Sequence, residues 1–217
     1  MFEFITSNLI WTESLWLVLI FAIIALIGWF IARPITYLAV FAFLFCFYFF
    51  RNPERMSPEA SIDETVIVCP ADGKIVDIQY DPHGGFNGYH QKISIFLSPL
   101  DVHVNWTPVA GVVEKIEYVP GKFTMAFLPK SSELNEHNDV IIRRADGKSI
   151  LVRQIAGTMA RRIVCWVKEE QRVSAGQKYG MIKFSSRVDL LLPEQAQLTV
   201  KMGQKVYGGK TVIGRLA

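Results

Sequence analysis

The sequence predicts a mainly β chain: a sandwich or barrel-sandwich-like domain over residues 56–217, preceded by an N-terminal hydrophobic helical hairpin over 1–55. Three observations predict it. Residues 14–32 and 34–50 carry no charged side chain, and each run is long enough to cross a hydrocarbon core as a helix, the second only just. Past Met56 the chain breaks into short runs rich in Val, Ile and Thr, separated by Gly, Pro and Asp turns, which is the pattern of strands. No stretch beyond Phe50 repeats its apolar residues with a strong helical period, so the second part reads as all-β.

The hairpin follows from Ala32-Arg33-Pro34, which separates the two apolar runs. So short a link cannot fold as a loop, and Pro34 would break a continuous helix there. Trp11, Trp16, Trp29, Tyr37 and Tyr48 are placed as interfacial aromatics. The first run lacks the basic flank of a secretory leader, and no small-residue cleavage pattern precedes the second, so a retained membrane anchor is expected. Arg51 and Arg55 follow the second run while Glu3 and Glu13 flank the first, which puts the β domain on the cytoplasmic side of the cell membrane. A hairpin dipping into one leaflet, with Arg33 snorkelling to the surface, is the other arrangement the sequence allows.

Strands are expected at 65–69, 74–79, 92–97, 112–118, 139–143, 149–155, 162–167, 179–184, 188–192, 198–201 and 211–215. Turn signals between them include Ala71-Asp72-Gly73, Asp146-Gly147 and Gly208-Gly209. A weak internal echo links Gly176-Gln177-Lys178 to Gly203-Gln204-Lys205, and such turns also occur in the barrel-sandwich shape of biotinyl and lipoyl carriers. Across the chain 23 Lys and Arg stand against 20 Asp and Glu, a net charge of +3. That mild balance suits an anionic membrane surface. The basic residues are neither clustered nor interleaved with aromatics, so no nucleic acid is expected as a partner. Cys46, Cys69 and Cys165 are odd in number and lack C-x-x-C spacing, and the four histidines show no paired spacing, so neither a disulfide framework nor a metal site is indicated.

The residues that could carry chemistry are few. Ser185 and Ser186 interrupt two apolar strands near the C-terminus, where adjacent hydroxyls often do no more than bond their own backbone. His103 lies in the extended segment 97–108 with Asp101 and Asn105 on its face, a polar stripe that is ordinarily solvated but contains the one side chain that titrates near neutral pH. Asp72, in Pro70-Ala71-Asp72-Gly73, has the bland reading of a turn residue. Phe86, Tyr89, Phe123 and Phe127 are candidates for an apolar lining, with core packing the ordinary explanation.

Taken together these segments carry a resemblance. Pro-Ala-Asp-Gly at 70–73, Leu-Ser-Pro-Leu-Asp-Val-His-Val-Asn at 97–105 with Pro-Val-Ala-Gly at 108–111, Asn-Glu-His-Asn at 135–138 and Lys-Phe-Ser-Ser-Arg-Val-Asp at 183–189 follow one another behind a hydrophobic N-terminus. The chain resembles the short bacterial and archaeal form of phosphatidylserine decarboxylase, a pyruvoyl-dependent family. Two departures stand out. Ser185 replaces the usual glycine of the cleavage point, and Trp106 replaces an arginine that usually follows Asn105. Self-cleavage is expected to survive the first change. The second removes a cation that would help to hold a phosphate or carboxylate.

The resemblance implies that Ser186 Oγ attacks the carbonyl of Ser185, and that elimination and hydrolysis then leave a pyruvoyl group at 186. The chain would so divide into a β chain, 1–185, and an α chain, 186–217. His103 would be the base and Asp72 its orienter, the arrangement that activates a hydroxyl in hydrolytic triads. The pyruvoyl carbonyl would form a Schiff base with phosphatidylserine, and loss of CO₂ would give phosphatidylethanolamine. Asn105, His137 and Phe86 are the substrate-binding candidates, no metal is implied, and paired protomers, a homodimer, are common in the family. A membrane anchor suits such a lipid substrate, because each CH₂ drawn from the bilayer into water costs about 0.8 kcal/mol. Two readings of other classes predict one uncut polypeptide: a membrane-tethered barrel-sandwich adaptor or carrier module, and a serine hydrolase using Ser186 with His103.

Overall fold

A computed structural model describes residues 10–124, 134–158, 162–183 and 186–216. The chain divides into two compact units, Met1–Glu54 and Arg55–Ala217. In the first, helix α1 (Trp11–Ile31) turns back into α2 (Arg33–Phe49). Pro34 sits in the first turn of α2, where its missing N–H is no loss. The helices meet closely at Gly28, where an added Cβ would lie 3.0 Å from the Thr36 backbone nitrogen. From Glu13 to Ile31 the first helix is long and apolar enough to cross a membrane, and Ile23, Leu26, Trp29 and Phe30 are exposed along it. The second is a shorter apolar helix.

The second unit is built from antiparallel strands. They are β1 (Val66–Val68), β2 (Gly73–Tyr80), β3 (Gln91–Leu97), β4 (Val104–Trp106), β5 (Gly111–Val119), β6 (His137–Arg143), β7 (Ser149–Ala156), β8 (Arg162–Cys165), β9 (Arg172–Val173), β10 (Lys178–Lys183), β11 (Ser186–Leu192), β12 (Ala196–Leu198), β13 (Lys205–Val206) and β14 (Val212–Leu216). An eight-stranded sheet runs β13-β2-β3-β11-β7-β6-β5-β9, and two three-stranded sheets run β4-β10-β8 and β1-β14-β12. The apolar core forms on one face of the large sheet, where alternation brings Ile93, Ile95 and Leu97 of β3 beside Val188 and Leu190 of β11 and Ile150 and Val152 of β7. The mainly β architecture is the one the turn-and-strand pattern predicts. One strand shifts: the run expected at 198–201 ends at Leu198, because Lys201 starts a turn closed by the Gln204 N–H to Lys201 carbonyl bond of 3.2 Å.

That turn explains the internal echo and adds a third copy. In each, a glutamine side chain accepts the N–H of the residue three positions earlier: Gln171 from Lys168 at 3.0 Å, Gln177 from Ser174 at 3.1 Å and Gln204 from Lys201 at 3.1 Å. The residue before the glutamine takes a left-handed conformation, φ +76° at Gly176 and +84° at Gly203. In the third copy Glu170 occupies that position at φ 64°, so a sequence search for Gly-Gln passes over it.

Candidate functional site

Ser186 opens β11, a strand buried along its whole length and bonded on both sides. It stands opposite Leu97 of β3 and Ala156 of β7. Alternation puts Ser186 with Val188, Leu190 and Leu192 on the core-facing side, and Arg187 and Asp189 on the other. The Ser186 Oγ is buried and has no hydrogen-bond partner among the described residues. A hydroxyl in that condition costs about 1–3 kcal/mol, which packing alone does not justify. Ser185, the other half of the expected cleavage point, lies outside the described residues, as does Phe127.

His103 is fully buried at the entrance to β4. Its Nδ1 lies 2.9 Å from the carbonyl oxygen of Asp101. A carbonyl only accepts, so Nδ1 carries a proton, and in the neutral ring Nε2 is the nitrogen with the lone pair. The residue supplying that carbonyl is itself fixed: Ser98 donates to the Asp101 carboxylate through N–H at 2.9 Å and Oγ at 2.8 Å, and Lys205 adds an ion pair. Burial works against ionisation of Asp101, but the bonds from Lys205 and Ser98 outweigh it and hold the carboxyl below its ordinary 3.8.

One side-chain bond links the segment of His103 to the strand that pairs with Ser186. Asn105 stands beside Gly180 of β10, and its Oδ1 accepts a hydrogen bond from Gln154 Nε2 of β7 at 2.8 Å. Two residues on, the strands reach His103, whose carbonyl accepts from Ile182 N at 3.2 Å, and Ala156, which pairs with Ser186. On β7 a two-residue step keeps Gln154 and Ala156 on one face. Counted from the Asn105–Gln154 bond, His103 is thus two residues away along the segment before β4, and Ser186 is reached through Ala156, two residues away along β7.

Asp72 is placed otherwise than expected. Ala71 bridges Asn105, so the segment is adjacent, but the Asp72 carboxylate is held by both terminal nitrogens of Arg55 and by the Gly208 N–H at 2.8 Å. The orienting of His103 falls to a backbone carbonyl, because the carboxylate is occupied elsewhere. Trp106 is fully buried against Gly208, where an added Cβ would lie 2.2 Å from the indole. The Arg55 guanidinium sits 5.2 Å from that ring, so a cation stands beside Trp106 after all, supplied by the start of the unit.

The remaining candidates separate from Ser186. His137 pairs with Ile155 and thus shares the opposite face of the sheet with Arg187. Phe86 belongs to a tight hairpin with Asn87 at φ 54° and Gly88 at φ 87°, the pair of left-handed residues that a two-residue turn requires. That hairpin joins the far end of β11, through His90 N to Leu192 O at 3.0 Å, roughly 20 Å along the strand from Ser186. Phe86 is therefore remote from Ser186, and Tyr89 beside it is a half-buried phenol raised to about 12 by desolvation. A groove of about 920 Å³ bordered by Gly111, Arg143 and Arg172 also lies elsewhere, at the β9-β5-β6 edge. Cys69 is equally unsuited to chemistry, since burial pushes its thiol up to about 12.

Sequence reasoning put Asp101 beside His103 only as part of a polar stripe, and gave Arg55 and Gln154 no place near it. Gln154 left a signal: Ile150, Val152 and Ala156 share its parity on β7 and are all core, so an amide among them is legible as an anomaly.

The comparisons converge on one family. A profile described as phosphatidylserine decarboxylase matches residues 42–214. The phosphatidylserine decarboxylase proenzyme of Syntrophus aciditrophicus (strain SB) is 45% identical over 188 residues, 86% of this chain and 84% of that protein. The proenzymes of Salinibacter ruber, 46% identical over 87% of this chain and 83% of its own length, and of Ehrlichia chaffeensis, 46% identical over 88% and 84%, are similar to it in the same way. With its profile match running from the second apolar helix to the last strand, the chain belongs to the phosphatidylserine decarboxylase family.

Proposed function

We propose that this chain is a proenzyme that cuts itself between Ser185 and Ser186 and then, as a pyruvoyl enzyme at the cell membrane, decarboxylates phosphatidylserine to phosphatidylethanolamine. The observation that carries the reading is the orphaned Ser186 hydroxyl on a core-facing position of a central strand, and it is supported by a buried histidine whose Nδ1 is held by a backbone carbonyl. His103 Nε2 accepts the hydroxyl proton as Ser186 Oγ adds to the carbonyl of residue 185, and the proton passes to the departing amide nitrogen, leaving an ester. Elimination breaks the bond between Cβ and the ester oxygen, frees the carboxylate of residue 185, and leaves a dehydroalanine that water converts to the keto group with loss of ammonia.

The pyruvoyl group would supply an electrophilic carbonyl that takes up the electrons left when CO₂ departs. Residues of the chain do the rest. His103 returns a proton to the substrate carbon, and Asn105 offers a buried amide to the headgroup. The new α-chain terminus stays in register because β11 is bonded to β3 and β7 on either side. Asp72 acts indirectly, tying the segment beside Asn105 to Gly208 and Arg55. The apolar α1 supports a membrane location, with the catalytic unit on the cytoplasmic side, so that the lipid need not leave the bilayer.

Intact mass spectrometry of the purified protein tests this. Wild type should appear as two fragments divided after residue 185, the smaller with a keto group in place of an amine, and Ser186→Ala as one chain of 24.6 kDa. The wild-type preparation should convert phosphatidylserine in vesicles to phosphatidylethanolamine and CO₂. A wild type that stays uncut returns the reading to a hydrolase or an adaptor.

A further inference from the structure

We propose that Gln154 is a positioning residue for self-cleavage, the pin that fixes the strand carrying His103 against the strands carrying Ser186. The inference rests on the self-cleavage reading above. Gln154 is fully buried and reaches across the cleft between the sheets. Its Nε2 donates to Asn105 Oδ1 at 2.8 Å, and its Oε1 accepts from Asn138 Nδ2 of β6 at 3.1 Å. The three amides form a chain with one direction, each oxygen accepting from the amide before it, which fixes how every one of them is turned.

The site needs such a pin because β4 is short and stands at the edge of its sheet. Val104–Trp106 pairs with β10 alone, apart from the isolated bridge to Ala71. Its placement relative to β7 and β11 is set by what crosses the cleft, and among the described residues the crossing side-chain bond from β4 is Asn105 to Gln154. From that bond His103 is two residues back along the segment that enters β4, and Ala156, the partner of Ser186, is two residues on along β7. An error at the pin therefore passes directly into the distance between hydroxyl and imidazole. Gly180 makes room for it: an added Cβ there would lie 3.0 Å from Gln154 Nε2 and 2.3 Å from the Val164 carbonyl oxygen. Packing alone would put an aliphatic side chain at this position, as at Ile150 and Val152 on the same face.

The experiment follows self-cleavage of full-length precursor by intact mass against time, for wild type, Gln154→Leu, Asn105→Ala and the double variant. Ile213→Ala, a core truncation in the β1-β14-β12 sheet, serves as a control for lost stability. Gln154→Leu and Asn105→Ala should each slow cleavage by about 10- to 100-fold, as misplacement of a reacting pair does. The double variant should be no slower than the slower single, because one bond is lost in all three. Ile213→Ala should cleave at the wild-type rate despite its lower melting temperature. Gln154→Leu cleaving within about twofold of wild type, additive losses in the double variant, or an equal slowing in Ile213→Ala would each overturn the proposal. Should the leucine variant fail to fold, Gln154→Met, unbranched and of similar length, is read by the same criteria. Failure of the self-cleavage reading looks different, since wild type itself would then remain uncut.

Discussion

His103 and His137 are built alike and placed differently. Each is buried, and each turns Nδ1 to the carbonyl two residues back, at 2.9 Å from Asp101 and 2.8 Å from Asn135. In both cases the residue giving that carbonyl is itself tied down: Asp101 by Ser98 and Lys205, Asn135 by Thr124 and by its bond to the Ala156 carbonyl at 2.7 Å. A fixed tautomer is thus a local product of a short turn, available wherever the chain makes one. What separates the two is their relation to the large sheet. His103 lies two residues before Asn105, which bonds Gln154 on the Ser186 face of that sheet, whereas His137 stands with Arg187 on the other face. Local geometry orients the ring, and topology decides which side of the sheet it stands on.

The largest effect expected is on cleavage rate. His103→Ala should slow self-cleavage by about 10²- to 10⁴-fold, the usual contribution of a general base, and His137→Ala by less than about tenfold. The ratio of precursor to fragments over time, by intact mass, measures both. Equal slowing in the two variants would break the comparison and place His137 in the mechanism.

The face that holds His137 should carry stability instead. Arg187 Nε to Asp189 Oδ1 is 2.6 Å and Nη2 to Oδ2 is 2.8 Å, with both side chains about 1% exposed. Arg153 and Asp139 repeat the arrangement on the neighbouring strands, at 2.7 and 2.6 Å. Removing one partner of a buried pair leaves the other charge stranded, so Asp189→Ala should lower stability by about 3–5 kcal/mol. Urea unfolding in the uncut Ser186→Ala background measures it. A sharper division follows if the folded fraction of Asp189→Ala, with Ser186 restored, still cleaves within about tenfold of wild type.

These contrasts also show what the sequence can and cannot disclose. The strands and the helical hairpin are readable because alternation and apolar runs are local. The misreadings are long-range. The resemblance makes Asp72 the partner of His103, yet Arg55 and Gly208, far from it in the chain, take its oxygens. It sets Phe86 near the headgroup, and only the register of β3 against β11 shows that the Phe86 hairpin joins the opposite end. Trp106 suggests a missing cation, and Arg55, distant in sequence, occupies the place beside the ring. In each case the deciding neighbour is fixed by strand pairing, which periodicity does not encode.

The smallest effect expected separates the two histidine turns by pH. Asp101 is an acid held below its ordinary 3.8, with burial opposed and outweighed by the bonds from Lys205 and Ser98, whereas Asn135 does not titrate. A depressed carboxyl stabilises the fold fully above its ordinary value and loses that contribution as pH falls through the lowered one. Lys205 is half exposed, so solvent screens the pair and Asp101→Asn should cost only about 0.5–1 kcal/mol at neutral pH. In the Ser186→Ala background, the unfolding free energies with and without Asp101→Asn should therefore converge as pH is lowered below 3.8, while the cost of Asn135→Ala stays constant. An Asp101→Asn cost that persists unchanged in acid would mean that shape rather than charge holds the turn before His103, and the two turns would then be alike in energetics as well as in geometry.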